Sequence, residues 1–79
     1  MSTEEEIVQL IKHIKENGDV QSDGRTGIAF GKLYDQTVDI FEALNGTLRA
    51  AKKSKAIEFE GQMLLKGPND KVIIYLIES

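Results

Sequence analysis

Arg49, Lys52, Lys53 and Lys55 fall close together in a chain that is otherwise acidic. Cations at this density bind anions: carboxylates on an acidic protein face, or phosphates. They also serve as a solvated helix end, because lysine and arginine complement the negative C-terminal end of the helix dipole. The remaining chemistry-bearing residues are sparse. His13 is the only histidine and there is no cysteine, so no thiolate site and no disulfide exists. Any nucleophile–base pair would need His13 with a serine or threonine, and no G-x-S-x-G elbow is present. His13 and Glu16 stand one helical turn apart, but two ligands do not make a zinc site. The glycines at 24, 27 and 31 fit neither the dinucleotide nor the phosphate-loop pattern. The expectation is a protein that is not an enzyme and needs no cofactor or metal.

The cations are placed by an amphipathic stretch. Phe41, Leu44, Leu48 and Ala51 recur at helical spacing and predict a helix over 39–54, with Asp39 as N-cap and Glu42 at the capping-box position. Lys52 and Lys53 then lie on its polar face. Gly46 inside that helix costs about 1 kcal/mol relative to alanine and points to close packing of another backbone. Before it, Ile7, Leu10, Ile11 and Ile14 form the apolar stripe of a first helix. Ser2 with Glu5, or Thr3 with Glu6, supplies its capping box, and Asn17-Gly18 ends it through left-handed geometry. Residues 19–27 read as a loop with a turn at Asp23-Gly24. Ile28 and Phe30 mark a short strand, and 32–36 a brief helical turn.

The last third is predicted as β. Ile57 and Phe59 alternate with Glu58 and Glu60, and the run continues through Met63 and Leu65 with a bulge at Gly61. Gly67-Pro68-Asn69-Asp70 turns the chain into a second strand over 72–77 that is apolar on both faces and hence central. Lys66, Asn69, Asp70 and Lys71 at that turn are either a polar tip or an extension of a binding surface.

The chain has 79 residues, 10 Lys and Arg against 13 Asp and Glu, and a net charge of −3. That length allows a single domain, 1–79, with one small core. Residues 1–40 carry a balance of −4 and residues 41–79 a balance of +1, so the positive patch is local. A general nucleic-acid binder is usually basic throughout, since phosphate neutralisation supplies most of its affinity. The acidic start, without the basic flank of a targeting peptide, and the shortness of the longest apolar run argue for a cytoplasmic chain with no membrane contact. No exposed apolar stripe is evident, so a monomer is expected. The order of elements is helix, short strand, short helix, long helix and β-hairpin. That is the order of an α+β winged-helix-like fold, with 57–77 as the wing and 39–54 in the recognition-helix position.

The run Phe41-Glu42-Ala43-Leu44-Asn45-Gly46-Thr47-Leu48-Arg49-Ala50-Ala51-Lys52-Lys53 follows Phe30-Gly31-Lys32-Leu33 and precedes Gly61-Gln62-Met63-Leu64-Leu65-Lys66-Gly67. Together these resemble the costars family, small proteins related to the C-terminal actin-binding domain of the striated-muscle activator of Rho signalling. The resemblance spans about Glu5 to Ile77. It implies a winged-helix-like fold, binding to actin in filaments, regulation of actin dynamics and cell motility, a cytoskeletal location and no enzymatic activity. It makes Arg49, Lys52, Lys53 and Lys55 the candidate actin contacts. Rim charges of this kind steer association, whereas affinity also needs an apolar or aromatic anchor. The sequence names none beyond Tyr34. Two alternatives remain open: a winged-helix nucleic-acid binder, and an adaptor that binds another actin regulator.

Overall fold

The computed structural model describes residues 3–41, 43–61 and 63–77. The elements run α1 (Thr3–Asn17), β1 (Asp19–Val20), β2 (Thr26–Ala29), α2 (Phe30–Thr37), α3 (Leu44–Lys53), β3 (Ile57–Glu58) and β4 (Ile73–Leu76). Among the described residues this is an α+β arrangement of three helices and a four-stranded antiparallel sheet ordered β1-β2-β4-β3. β4 is central, as its apolar composition predicts, with Ile74 opposite Ile28 and Leu76 opposite Ile57. α1 packs across α3 and β2, α2 meets β2, and α3 rests on β3. Leu10, Ile14, Phe30, Leu33, Leu48 and Ile74 are among the fully buried side chains that join these elements.

α1 forms over the predicted span, with Glu4, Glu5 and Glu6 in its first turn and Lys15 in its last, both favourable to the helix dipole. Ser2 and the Thr3 side chain lie outside the described residues. Its end has a different cause from the one the sequence implies. Gly18 is not left-handed; instead a Cβ there would stand 2.6 Å from the Gly27 carbonyl oxygen and 2.7 Å from that of Ile14. Glycine is required by the close approach of β2.

The predicted helix over 39–54 is shorter at its start. The Thr37 carbonyl accepts N–H bonds from both Ile40 and Phe41, at 2.9 and 3.0 Å, which closes α2 in a turn that takes in Asp39. Phe41 then enters the core before α3 begins. The N-cap is Ala43, without a side-chain hydrogen bond, so Asp39 is not the N-cap of α3; Glu42 lies outside the described residues. Among the described residues Gly46 meets no other backbone, and its hypothetical Cβ would touch only the Ala43 side chain at 3.8 Å. The sequence reading of close packing there is therefore wrong. Gly46→Ala is expected to raise stability by about 0.5–1 kcal/mol, measured as a higher urea midpoint at unchanged slope.

The expected hairpin survives as two rungs. β3 pairs with β4 at Ile57–Leu76 and Glu58–Tyr75, and the described residues between Phe59 and Val72 lie outside the ladder. Gly61 is a turn at φ +93° rather than a bulge. The phase flips there: Leu64 is buried, while Met63 and Leu65 are exposed. Gln62 lies outside the described residues. The loop returns to cap α2, whose Phe30 and Gly31 N–H groups donate to the Val72 and Asp70 carbonyls at 2.8 and 3.0 Å. These main-chain bonds replace the side-chain cap that Ala29 cannot provide. Phe30 accordingly starts α2 instead of ending a strand.

Two side chains shape that loop. Asn69 Oδ1 accepts the Leu65 N–H at 2.9 Å, and Asp70 Oδ1 accepts the Gly67 N–H at 2.7 Å. Asp70 also pairs with Lys66 at 3.0 Å. The Gly67 N–H first, and the Lys66 ammonium second, lower the Asp70 pKa. A depressed carboxylate stabilises the fold above its unfolded pKa and loses that contribution as pH falls through the lowered folded value. Relative to Asp70→Asn, the wild type should hold a constant urea-midpoint advantage above about pH 4.5 that closes below about pH 4.

Candidate functional site

α3 divides its surface by helical phase. Leu44, Thr47, Leu48 and Ala51 are buried, which turns Arg49 and Lys53, one turn apart, to the opposite side. Both are exposed and neither has an ion pair among the described residues. Lys55 is also exposed and takes a left-handed conformation at φ 66°. Its N–H donates to the Lys52 carbonyl at 3.0 Å and that of Ala56 to the Ala51 carbonyl at 2.9 Å, so α3 ends in a tight left-handed turn on a non-glycine residue. The three cations face solvent from one helix end.

Lys52 differs from these three. It sits at the margin of the buried stripe and is half-buried. Its ammonium donates to the Gly61 carbonyl and lies 4.4 Å from the centroid of the buried Phe59 ring. Lys52 therefore pins the start of the 59–72 loop to α3, and is not the free polar-face cation that the sequence implies. Lys52→Ala is expected to cost about 1 kcal/mol, combining a cation–π contact and one hydrogen bond, read as a lower thermal midpoint.

A second charged group has no precursor in the sequence reading. Arg25, at the base of the β1–β2 turn, pairs with Asp23 at 2.6 Å and Glu58 at 2.8 Å. Its guanidinium lies 4.3 Å from the Tyr75 ring centroid. Glu58 first, and then Asp23, raise the Arg25 pKa, while the Arg25 main-chain N–H leads in lowering that of Asp23. With one cation against two carboxylates this cluster carries a net −1; it joins the hairpin to the sheet face and offers little to an external anion. The turn residues Asn69 and Asp70, read as a possible extension of a binding surface, are occupied by their own loop.

Tyr34 is half-buried, with its ring 5.9 Å from that of Phe30 at 58°. His13 pairs with the Gln36 side chain at 2.8 Å, tying α1 to α2. Among the described residues no three acidic or histidine side chains gather as a metal site, and no helix is long and apolar enough to cross a membrane. What the geometry offers is a cationic surface of Arg49, Lys53 and Lys55.

Comparison with known proteins places this architecture. The chain is similar to Costars family protein ABRACL of Danio rerio, at 44% identity with both chains covered in full. It is similar to Costars family protein ST45-2 of Eutrema halophilum, at 51% identity over 96% of this chain and 85% of that one. The solution structure of human HSPC280 protein superposes with a TM-score of 0.90 at 37% identity, covering 100% of this chain and 95% of the other. None of these names is that of an enzyme. The Costars family model matches residues 2–77, and the chain belongs to the Costars family.

Proposed function

We propose that this chain is a non-enzymatic regulator of actin dynamics and cell motility that binds actin filaments directly. In this reading it acts as a cytoplasmic, cytoskeleton-associated monomer, a single domain over 1–79. The fold it would use is winged-helix-like, with α3 in the recognition-helix position and residues 57–77 in that of the wing. The observation that carries the reading is the surface of Arg49, Lys53 and Lys55, three exposed cations without ion pairs among the described residues, on a chain of net charge −3. Cations left unpaired amid an excess of carboxylates favour an acidic protein face over bulk polyanion binding. Lys52 borders the surface and holds the neighbouring loop in place.

Co-sedimentation of the purified protein with filamentous actin at two salt concentrations tests the reading, with a DNA mobility shift alongside. Saturable pelleting with no DNA shift is expected. Binding to DNA that weakens log-linearly with salt would replace it by nucleic-acid recognition. Absence of pelleting would move the family role to a different protein partner.

A further inference from the structure

Rim cations need an apolar anchor to bind tightly, and a groove that shares Lys55 lies beside them. Between α1 and the end of α3 lies an open groove of about 460 Å³, lined by Ile11, Lys15, Ser54, Lys55, Ala56, Leu76 and Ile77. Ile11 and Lys15 are one turn apart on α1 and share a face. Leu76 is buried, and Ile77 is 38% exposed. The Ile77 N–H donates to the Ala56 carbonyl at 3.0 Å, so the groove's end is main-chain bonded. Lys55 reaches this wall through its left-handed backbone, at the end of the helix that carries Arg49 and Lys53.

The composition of the groove selects its occupant. Its charged lining residues are two lysines from different elements, and no carboxylate is among the described residues that line it. Neither lysine has an ion pair among the described residues. We infer that this groove receives an apolar side chain from an acidic segment of the partner, with flanking carboxylates meeting Lys15 and Lys55. An apolar residue between two acids matches both the apolar surface of Ile11, Ala56 and Ile77 and the charges beside it. Lys15 thereby joins the binding surface, and the groove supplies the buried contact that rim charges alone do not. The inference rests on the actin reading, in that the acidic segment is taken to be actin's.

Lys15→Glu and Ile77→Asp test it by filament co-sedimentation beside the wild type and the Arg49→Glu, Lys53→Glu double variant. Thermal midpoints establish that each variant is folded. Ile77→Asp should weaken binding about tenfold or more, and Lys15→Glu about threefold to fivefold. If the double variant loses binding while these two folded variants bind as the wild type does, the groove is excluded and the actin reading stands. If the wild type itself does not pellet, the actin reading falls. The groove is then probed by amide chemical-shift mapping with a heptapeptide of aspartates flanking one leucine. Shifts centred on Lys15, Ala56 and Ile77, lost when serine replaces the leucine, support the groove with a different acidic partner. Scattered or absent shifts overturn it.

Discussion

Phe30→Ala is expected to lower the stability of the fold by about 3–5 kcal/mol at 25 °C. Phe30 is fully buried where β2 becomes α2, and its ring meets Tyr34. Its N–H is also one of the two bonds by which the returning loop caps α2. Truncating a buried phenylalanine costs about 3–5 kcal/mol, because the cavity adds to the lost transfer energy. At about 0.05–0.15 kcal/mol per residue, a chain of this size has roughly 4–12 kcal/mol in total. One substitution thus removes between a quarter and all of the margin. Phe30→Leu keeps most of the volume and should cost about 1.5 kcal/mol or less. Urea titrations followed by circular dichroism give both values. A Phe30→Ala protein within about 1 kcal/mol of the wild type would mean that the core around this residue collapses to fill the space.

The largest functional effect is expected from Arg49→Glu combined with Lys53→Glu. The pair turns two cations into two anions on one exposed helix face, shifting net charge from −3 by four units. Facing an acidic partner, like charges oppose both encounter and docking. Filament affinity should fall at least about thirtyfold at physiological salt, and part of the loss should return as salt screens the repulsion. The fold should be retained, since neither side chain is buried or ion-paired among the described residues. Lys52→Glu is the poorer test, because it would also release the loop from Gly61 and Phe59. A folded double variant that pellets normally would remove Arg49 and Lys53 from the interface.

These two residues show how far the sequence carries. Arg49 and Lys53 are exposed where helical periodicity puts them, because that periodicity is a local property and the buried stripe of α3 obeys it. Lys52 has the same charge and an adjacent position, yet its role depends on Phe59 and Gly61 reaching it from another segment. Arg25 with Glu58, and Lys15 with Lys55, are likewise set by tertiary placement that no local pattern encodes. The same division runs through the fold. α1 is legible from its apolar stripe and from the charges in its first and last turns, though not from the geometry that ends it. β1 is not, since Asp19 and Val20 are both exposed and become a strand only by pairing with Gly27 and Thr26. The start of α3 is misplaced because Phe41 keeps helical spacing across a turn, where burial imitates periodicity. Beyond Glu58 the buried Phe59 and, after the change of phase, Leu64 are satisfied by packing without a ladder, so a strand-like pattern ends as a loop.

The position of β4 has a consequence for how the chain acquires its shape during synthesis. Ile28 must wait for Ile74, and Ile57 for Leu76, before the two halves of the sheet have a common neighbour. At roughly 5–20 residues per second, the ribosome leaves β2 without that neighbour for several seconds. Until then only the β1–β2 hairpin and the helices can form, with their apolar faces uncovered. Cooperative closure of the sheet therefore waits for β4. A nascent chain cut before Ile73 would be a substrate for quality control, however complete its cationic helix.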